Sequence, residues 1–225
     1  MEFEVYPLAR TFLVTVAALI PITNPPGNAP IFLALTSGLE SAQRHAMARR
    51  VGMNCFLLLL TATFVGSYIL AFFDISIPVV RVGGGVLVAA TAWRLLAAEE
   101  GAAADSPGAT RHLSPEQVAG RAFYPLSFPI TVGPGSVSIA ITLGASLPSS
   151  GVPALATALG AALGNAAVAL AIFLAFRYAA HLVRFLGPAG TAVFLRLSAF
   201  ILLCIGVQIF WDGAAELLAP WRPLR

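Results

Sequence analysis

Pro21-Ile22-Thr23-Asn24-Pro25-Pro26-Gly27-Asn28 returns later in the chain as Pro129-Ile130-Thr131-Val132-Gly133-Pro134-Gly135-Ser136, every position displaced by 108 residues. Both copies lie inside apolar stretches of membrane-spanning length. Helix breakers there release backbone groups that lipid cannot satisfy, so the freed groups must face protein or a watery cavity. Two such interruptions at matching places in two halves point to a transport site. A single interruption would more readily be read as a kink satisfied by neighbouring Ser and Thr side chains.

The rest of the chain fits that setting. It is 58% hydrophobic and 10% charged, with mean hydropathy +0.86. A soluble domain of 225 residues could not hide so much apolar surface, and the class is a polytopic membrane protein. The formal charge of +3 comes from 13 arginines with no lysine. In a membrane protein this balance sets orientation and does not imply nucleic acid binding.

Six segments of about the ~20 residues a spanning helix needs can be read: Thr11–Leu39, Val51–Phe73, Ile75–Trp93, Ala122–Gly151, Val152–Phe176 and Phe185–Trp211. The expected fold is an all-α membrane protein whose six transmembrane segments form two inverted three-helix repeats. The first and fourth segments are broken at the Pro/Gly motifs. The whole chain, 1–225, reads as one membrane domain. Its halves are 8–96 and 121–218, joined by a polar connection, 97–120, in which Ser114-Pro115-Glu116-Gln117 resembles the start of a short surface helix. Ser149-Ser150-Gly151 reads as a turn. Weaker correspondences extend the duplication: Asn54 with Asn165, and Val80-Arg81-Val82 with Leu195-Arg196-Leu197.

If all six segments cross, Arg44, Arg49, Arg50, Arg94, Arg111, Arg121, Arg177 and Arg184 share one side and only Arg10, Arg222 and Arg225 the other. The positive-inside rule then puts both termini in the periplasm. If the first and fourth segments are re-entrant hairpins the balance is nine against two, so charge alone leaves both topologies open. Glu2 and Glu4 precede the first span where a signal peptide would carry positive charge, so that span is expected to be retained.

Pro25, Pro26 and Pro134 suit the opening of a helix, because proline lacks the N–H that a first turn leaves unused. Asn24 suits an N-cap. The expected result is two half-helices whose amino ends bind a carboxylate, at Gly27-Asn28 and at Gly135-Ser136. The candidate substrate-binding residues are Thr23, Asn24, Gly27, Asn28, Thr131, Gly133, Gly135, Ser136 and Ser138, with Asn54 and Asn165 either facing the same cavity or bonding helix to helix. Arg81 and Arg196 are the charges inside spans, where each costs ~2.5 kcal/mol or more. They are candidates for gating, or else snorkel to the interface. Gly83-Gly84-Gly85, and Gly160 with Gly164, permit close helix packing and leave room for a homo-oligomer. Cys55 and Cys204 read as packed apolar residues.

No span contains Asp or Glu, and His45, His112 and His181 lie between spans. Proton coupling through a buried carboxylate, a metal centre, a cofactor and an enzymatic site are therefore not expected. The expected partners are a small-molecule substrate and membrane lipid.

The runs Asn24 to Phe32 with Leu35-Thr36, Ile75 to Pro78 with Arg81-Val82-Gly83-Gly84, Tyr124 to Pro129 with Gly133-Pro134-Gly135, and Gly206-Val207-Gln208 with Asp212-Gly213 resemble the signature of the MarC family of bacterial inner-membrane proteins. The resemblance spans nearly the whole chain. It implies a six-helix protein related to the LysE-type exporter superfamily, similar to transporters of small neutral amino acids. The family's name comes from an antibiotic resistance locus, so efflux of antibiotics is an alternative expectation, and a non-transporting scaffold is another. The expected mechanism is secondary transport, in the direction of export, with the two halves rocking to give alternating access.

Overall fold

The computed structural model describes residues 2–36, 38–97, 120–148 and 152–219. The connection 97–120, with the surface helix expected at Ser114-Pro115-Glu116-Gln117, lies almost entirely outside the described residues. So do the turn expected at Ser149-Ser150-Gly151 and residues Arg111, Arg222 and Arg225.

Among the described residues the fold is helical throughout. In chain order the elements are α1 (Glu2–Thr23), α2 (Pro25–Leu35), α3 (Ser41–Phe72), α4 (Ile77–Ala97), a π-type segment counted here as α5 (Ala122–Thr131), α6 (Pro134–Ala145), α7 (Val152–Arg177) and α8 (Ala179–Leu218). Five helical stretches are long and apolar enough to cross a membrane: Tyr6–Thr23, Ser41–Phe72, Ile77–Ala97, Ala154–Arg177 and Ala189–Leu218. The pair α5 and α6, bent by 70°, is long and apolar enough for a sixth if taken together.

Helix ends differ from the hydropathy boundaries where local chemistry carries the helix onward. α3 begins ten residues before Val51, at Ser41. Glu40 N–H donates to Gln43 Oε1, and Arg44 Nη2 donates to the carbonyls of Thr36 and Leu39, tying the α2–α3 connection to the first turn. α8 runs beyond both hydropathy limits and is interrupted at Gly187, whose φ of 66° suits glycine.

Packing follows membrane rules. The large apolar side chains of Leu57, Leu163, Leu170, Phe200 and Val207 face outward, and the interior is rich in Ala, Gly and Thr. Lipid is as apolar as leucine, so helices associate through close backbone approach at small residues. A Cβ at Gly160 would strike Leu8 O, one at Gly164 would strike Thr15, and one at Gly144 would strike the Thr63 carbonyl. Cys55 is buried as expected, but Cys204 faces outward on α8, where lipid accommodates an apolar thiol.

The two halves interleave. α1 packs on α7; α3 packs on α5, α6 and α7; α4 packs on α6 and, most extensively of all pairs, on α8; α2 packs on α7 and α8. Within either half the helices scarcely touch. The buried apolar residues form two clusters. The larger joins α1, α2, α3, α5, α6, α7 and the start of α8. The smaller holds Val88 and Ala92 of α4 with Leu202 and Leu203 of α8, and Ile22 packs against it.

Candidate functional site

α1 stops at Asn24, whose backbone is left-handed (φ 41°, ψ 60°), a conformation Asn tolerates better than most residues. Its Oδ1 accepts from Gly27 N–H at 3.2 Å and its carbonyl accepts from Asn28 N–H at 3.0 Å. Pro25 and Pro26 have no N–H. The first turn of α2 is therefore fully capped and offers no free donor, which corrects the expectation of a carboxylate site at Gly27-Asn28. Gly27 is glycine because a Cβ would run into the Asn24 side chain that makes this cap.

The second copy of the motif behaves differently. Val132, in the place of Asn24, donates its N–H to Ser127 O, and Gly133 N-caps α6 with no side chain to satisfy the first turn. The first helical bond is Val137 N–H to Gly133 O at 3.1 Å. Pro134 has no N–H, and the N–H groups of Gly135 and Ser136 precede the ladder. They are the orphan donors of this helix end. Gly135 must be glycine: a Cβ there would collide with Val88 of α4.

Between the two copies lies a partly open cavity of about 250 Å³. Asn24, Asn28, Thr131, Gly133, Pro134, Gly135 and Ser136 line one side, and Leu87, Val88, Thr91, Arg94 and Leu95 of α4 the other. Ile22, Pro129, Ile130 and Leu202 complete it. Asn28 joins the copies across the chain: its Nδ2 donates to Thr23 O at 2.9 Å and to Ile130 O at 3.4 Å. Thr131 is spent locally, its Oγ1 donating to Leu126 O at 2.7 Å.

The remaining sequence candidates stand outside this lining. Thr23 is fully buried and donates its hydroxyl to Leu19 O. Ser138 donates to Val80 O at 2.9 Å, fixing α6 to α4. Asn165 is buried and donates to Thr63 Oγ1 at 3.1 Å, bonding α7 to α3, and Asn54 is half-buried on α3. Pro25 is buried and Pro26 exposed at the start of α2. Arg81 forms an ion pair with Glu216 at one end of the α4–α8 pair, and Arg196 is exposed on α8.

Arg94 and Thr91 were missed by the sequence reading. Among the described residues Arg94 is the one charged side chain in the lining, and it makes no hydrogen bond or ion pair with any of them. The available signal was the helical spacing of Thr91 and Arg94, a short polar stripe on a largely apolar helix.

A family model described as MarC family integral membrane protein matches residues 9–218. The chain belongs to the MarC family of integral membrane proteins. It is 30% identical over 208 residues to the UPF0056 inner membrane protein MarC of Salmonella paratyphi A, covering 91% of this chain and 94% of that protein. Against the UPF0056 membrane protein YvbG of Bacillus subtilis it is 35% identical over 196 residues, covering 87% and 90%. No solved structure matches. The motifs that carried the resemblance thus sit within a family match extending over most of this MarC-family chain.

Proposed function

We propose that this chain is a secondary transporter, working as an exporter of small neutral amino acids or similar small metabolites across the bacterial inner membrane, with its termini in the periplasm. The observation that carries the reading is the cavity shared by the two motif copies. It is small, polar on the side the motifs supply, and bounded by orphan helix N–H groups. The names of the Salmonella relatives, inner membrane proteins, support the location, and with all six segments crossing the arginine asymmetry supports the orientation.

The halves are read as inverted repeats with broken first and fourth helices. Exchanging them maps the packing onto itself: α3 on α6 becomes α7 on α2, α4 on α6 becomes α8 on α2, and α3 on α5 becomes α7 on α1. The equivalent helices also run antiparallel where they meet. Gly85 abuts Phe210, and Gly213 abuts Pro78 and Arg81.

Rocking of one sequence half against the other is not the movement this packing favours, because the halves are interleaved. The α4–α8 pair, with its own apolar cluster, is the better moving body. The cavity lies between it and the rest, and the Arg81–Glu216 pair helps hold it together. Drug efflux through this cavity is less favoured: its volume of about 250 Å³ is below the ~300–1,000 Å³ of drug-sized sites.

The reading is tested by flux of labelled alanine and glycine in proteoliposomes. Flux above that of protein-free vesicles is expected, and equal flux overturns it.

A further inference from the structure

We propose that the two ends of the cavity have opposite polarity and hold a zwitterion in one orientation, its carboxylate at the amino end of α6 and its ammonium at the side-chain oxygen of Asn28. This rests on the transport reading above and adds how the solute is turned and which solutes are refused.

The donor end is α6. The N–H groups of Gly135 and Ser136 have no partner among the described residues, and both residues line the cavity. The Ser136 side chain strengthens the case. The residue is only 2% exposed, its hydroxyl has no hydrogen-bond partner among the described residues, and that oxygen is not among the sealed, unpartnered buried atoms, so it opens to the cavity that Ser136 lines. The hydroxyl therefore points a free donor into the cavity beside the two N–H groups, and an oxyanion supplies the acceptor that all three lack.

The acceptor end is the first motif copy. Its helix end is sealed by Asn24 and the two prolines, so it presents no N–H. It presents the Asn28 carboxamide. That nitrogen is held by the carbonyls of Thr23 and Ile130. Carbonyls only accept, so the amide cannot be turned over, and its oxygen is the remaining group. The oxygen has no partner among the described residues and is not among the sealed, unpartnered buried atoms, so it has access to the cavity that Asn28 lines. Such an oxygen calls for a donor such as an ammonium N–H. Among the described residues no Asp or Glu lines the cavity, and the one charge they bring to it, Arg94, is positive. A bare amine is therefore disfavoured, whereas an ammonium balanced by its own carboxylate is not. Asn28 and Ser136 hold the same position in the two copies, so divergence at one repeated position gives the site its polarity.

The test uses the full chain in proteoliposomes, with propionate (no ammonium) and ethylamine (no carboxylate) competing against labelled alanine. Each is expected to compete roughly tenfold or more weakly than unlabelled alanine, the size of a lost hydrogen bond to a charged group. Ser136→Ala should weaken alanine and propionate together. Asn28→Ala should weaken alanine and leave propionate unchanged. If Asn28→Ala does not fold, the wild-type solute series and Ser136→Ala, which breaks no bond, decide alone. Propionate or ethylamine competing as well as alanine, or Ser136→Ala leaving both affinities intact, overturns the orientation. These outcomes require alanine flux to be present, so they are distinct from its absence, which would overturn the transport reading.

Discussion

Asn24 shows how one residue sets a helix end. It takes a left-handed conformation and caps Gly27 with its side chain. Alanine would lose the cap and meet strain at that φ, a combined cost of about 2 kcal/mol. Glycine loses the cap but not the conformation, and should cost ~0.5 kcal/mol. Thermal unfolding of the purified protein in detergent should rank wild type above Asn24→Gly and Asn24→Gly above Asn24→Ala. Arg94 acts at longer range. As the charged group of the lining it should draw carboxylates toward the cavity, an effect that salt screens. Arg94→Gln should slow alanine flux at low ionic strength, and the gap to wild type should narrow as salt is added. A gap independent of salt would assign Arg94 to direct contact. The helix caps were legible from residue type, because Asn and Pro have fixed bonding capacities. Arg94 was not, because nothing in its local sequence says that the stripe it shares with Thr91 faces another half of the chain.

At the scale of elements, the glycines of α4 and α8 divide by what lies opposite them. A Cβ at Gly206 would lie 2.6 Å from Ala89 N and 3.0 Å from Gly85 O, where only backbone could yield. Gly206→Ala should cost about 1–3 kcal/mol and loosen the α4–α8 pair. Gly83 has nothing within 4 Å, so Gly83→Ala should be neutral or add about 0.5–1 kcal/mol through helix propensity. Thermal unfolding of the two variants checks both signs. The sequence presents Gly83, Gly84 and Gly85 as one run, yet only Gly84 and Gly85 are buried. Helical phase separates them, and the identity of the facing helix is a tertiary fact. The ion pair of Arg81 with Glu216 is partly solvated, with side chains 29% and 52% exposed. It should contribute about 0–1 kcal/mol to stability. A larger effect of Arg81→Gln on flux than on unfolding would mark it as part of the gate.

For the whole molecule, interleaving has a direct consequence. Helices of one half find their partners in the other, so neither half has a core of its own. Chains cut within the 97–120 connection should fail to accumulate when produced singly and should associate when produced together. Accumulation of a folded single half, judged by helicity and monodisperse elution, would contradict the packing described here. The motif's recurrence is visible in the sequence, but interleaving is not, since a recurring motif marks likeness between two stretches and leaves their mutual placement free.

Composition and the placement of prolines and glycines determined that this chain lives in a bilayer and where its backbone ladder lacks donors, because both follow from local chemistry that no neighbour can alter. Tertiary structure decided which of the freed groups stay free. Asn24 consumes the donors at one motif copy, glycine leaves them open at the other, and α4 brings Arg94 across from the opposite side. Those outcomes depend on which helices meet, and in a bilayer that choice is made by the fit of small residues across helix surfaces rather than by hydrophobicity that a sequence displays.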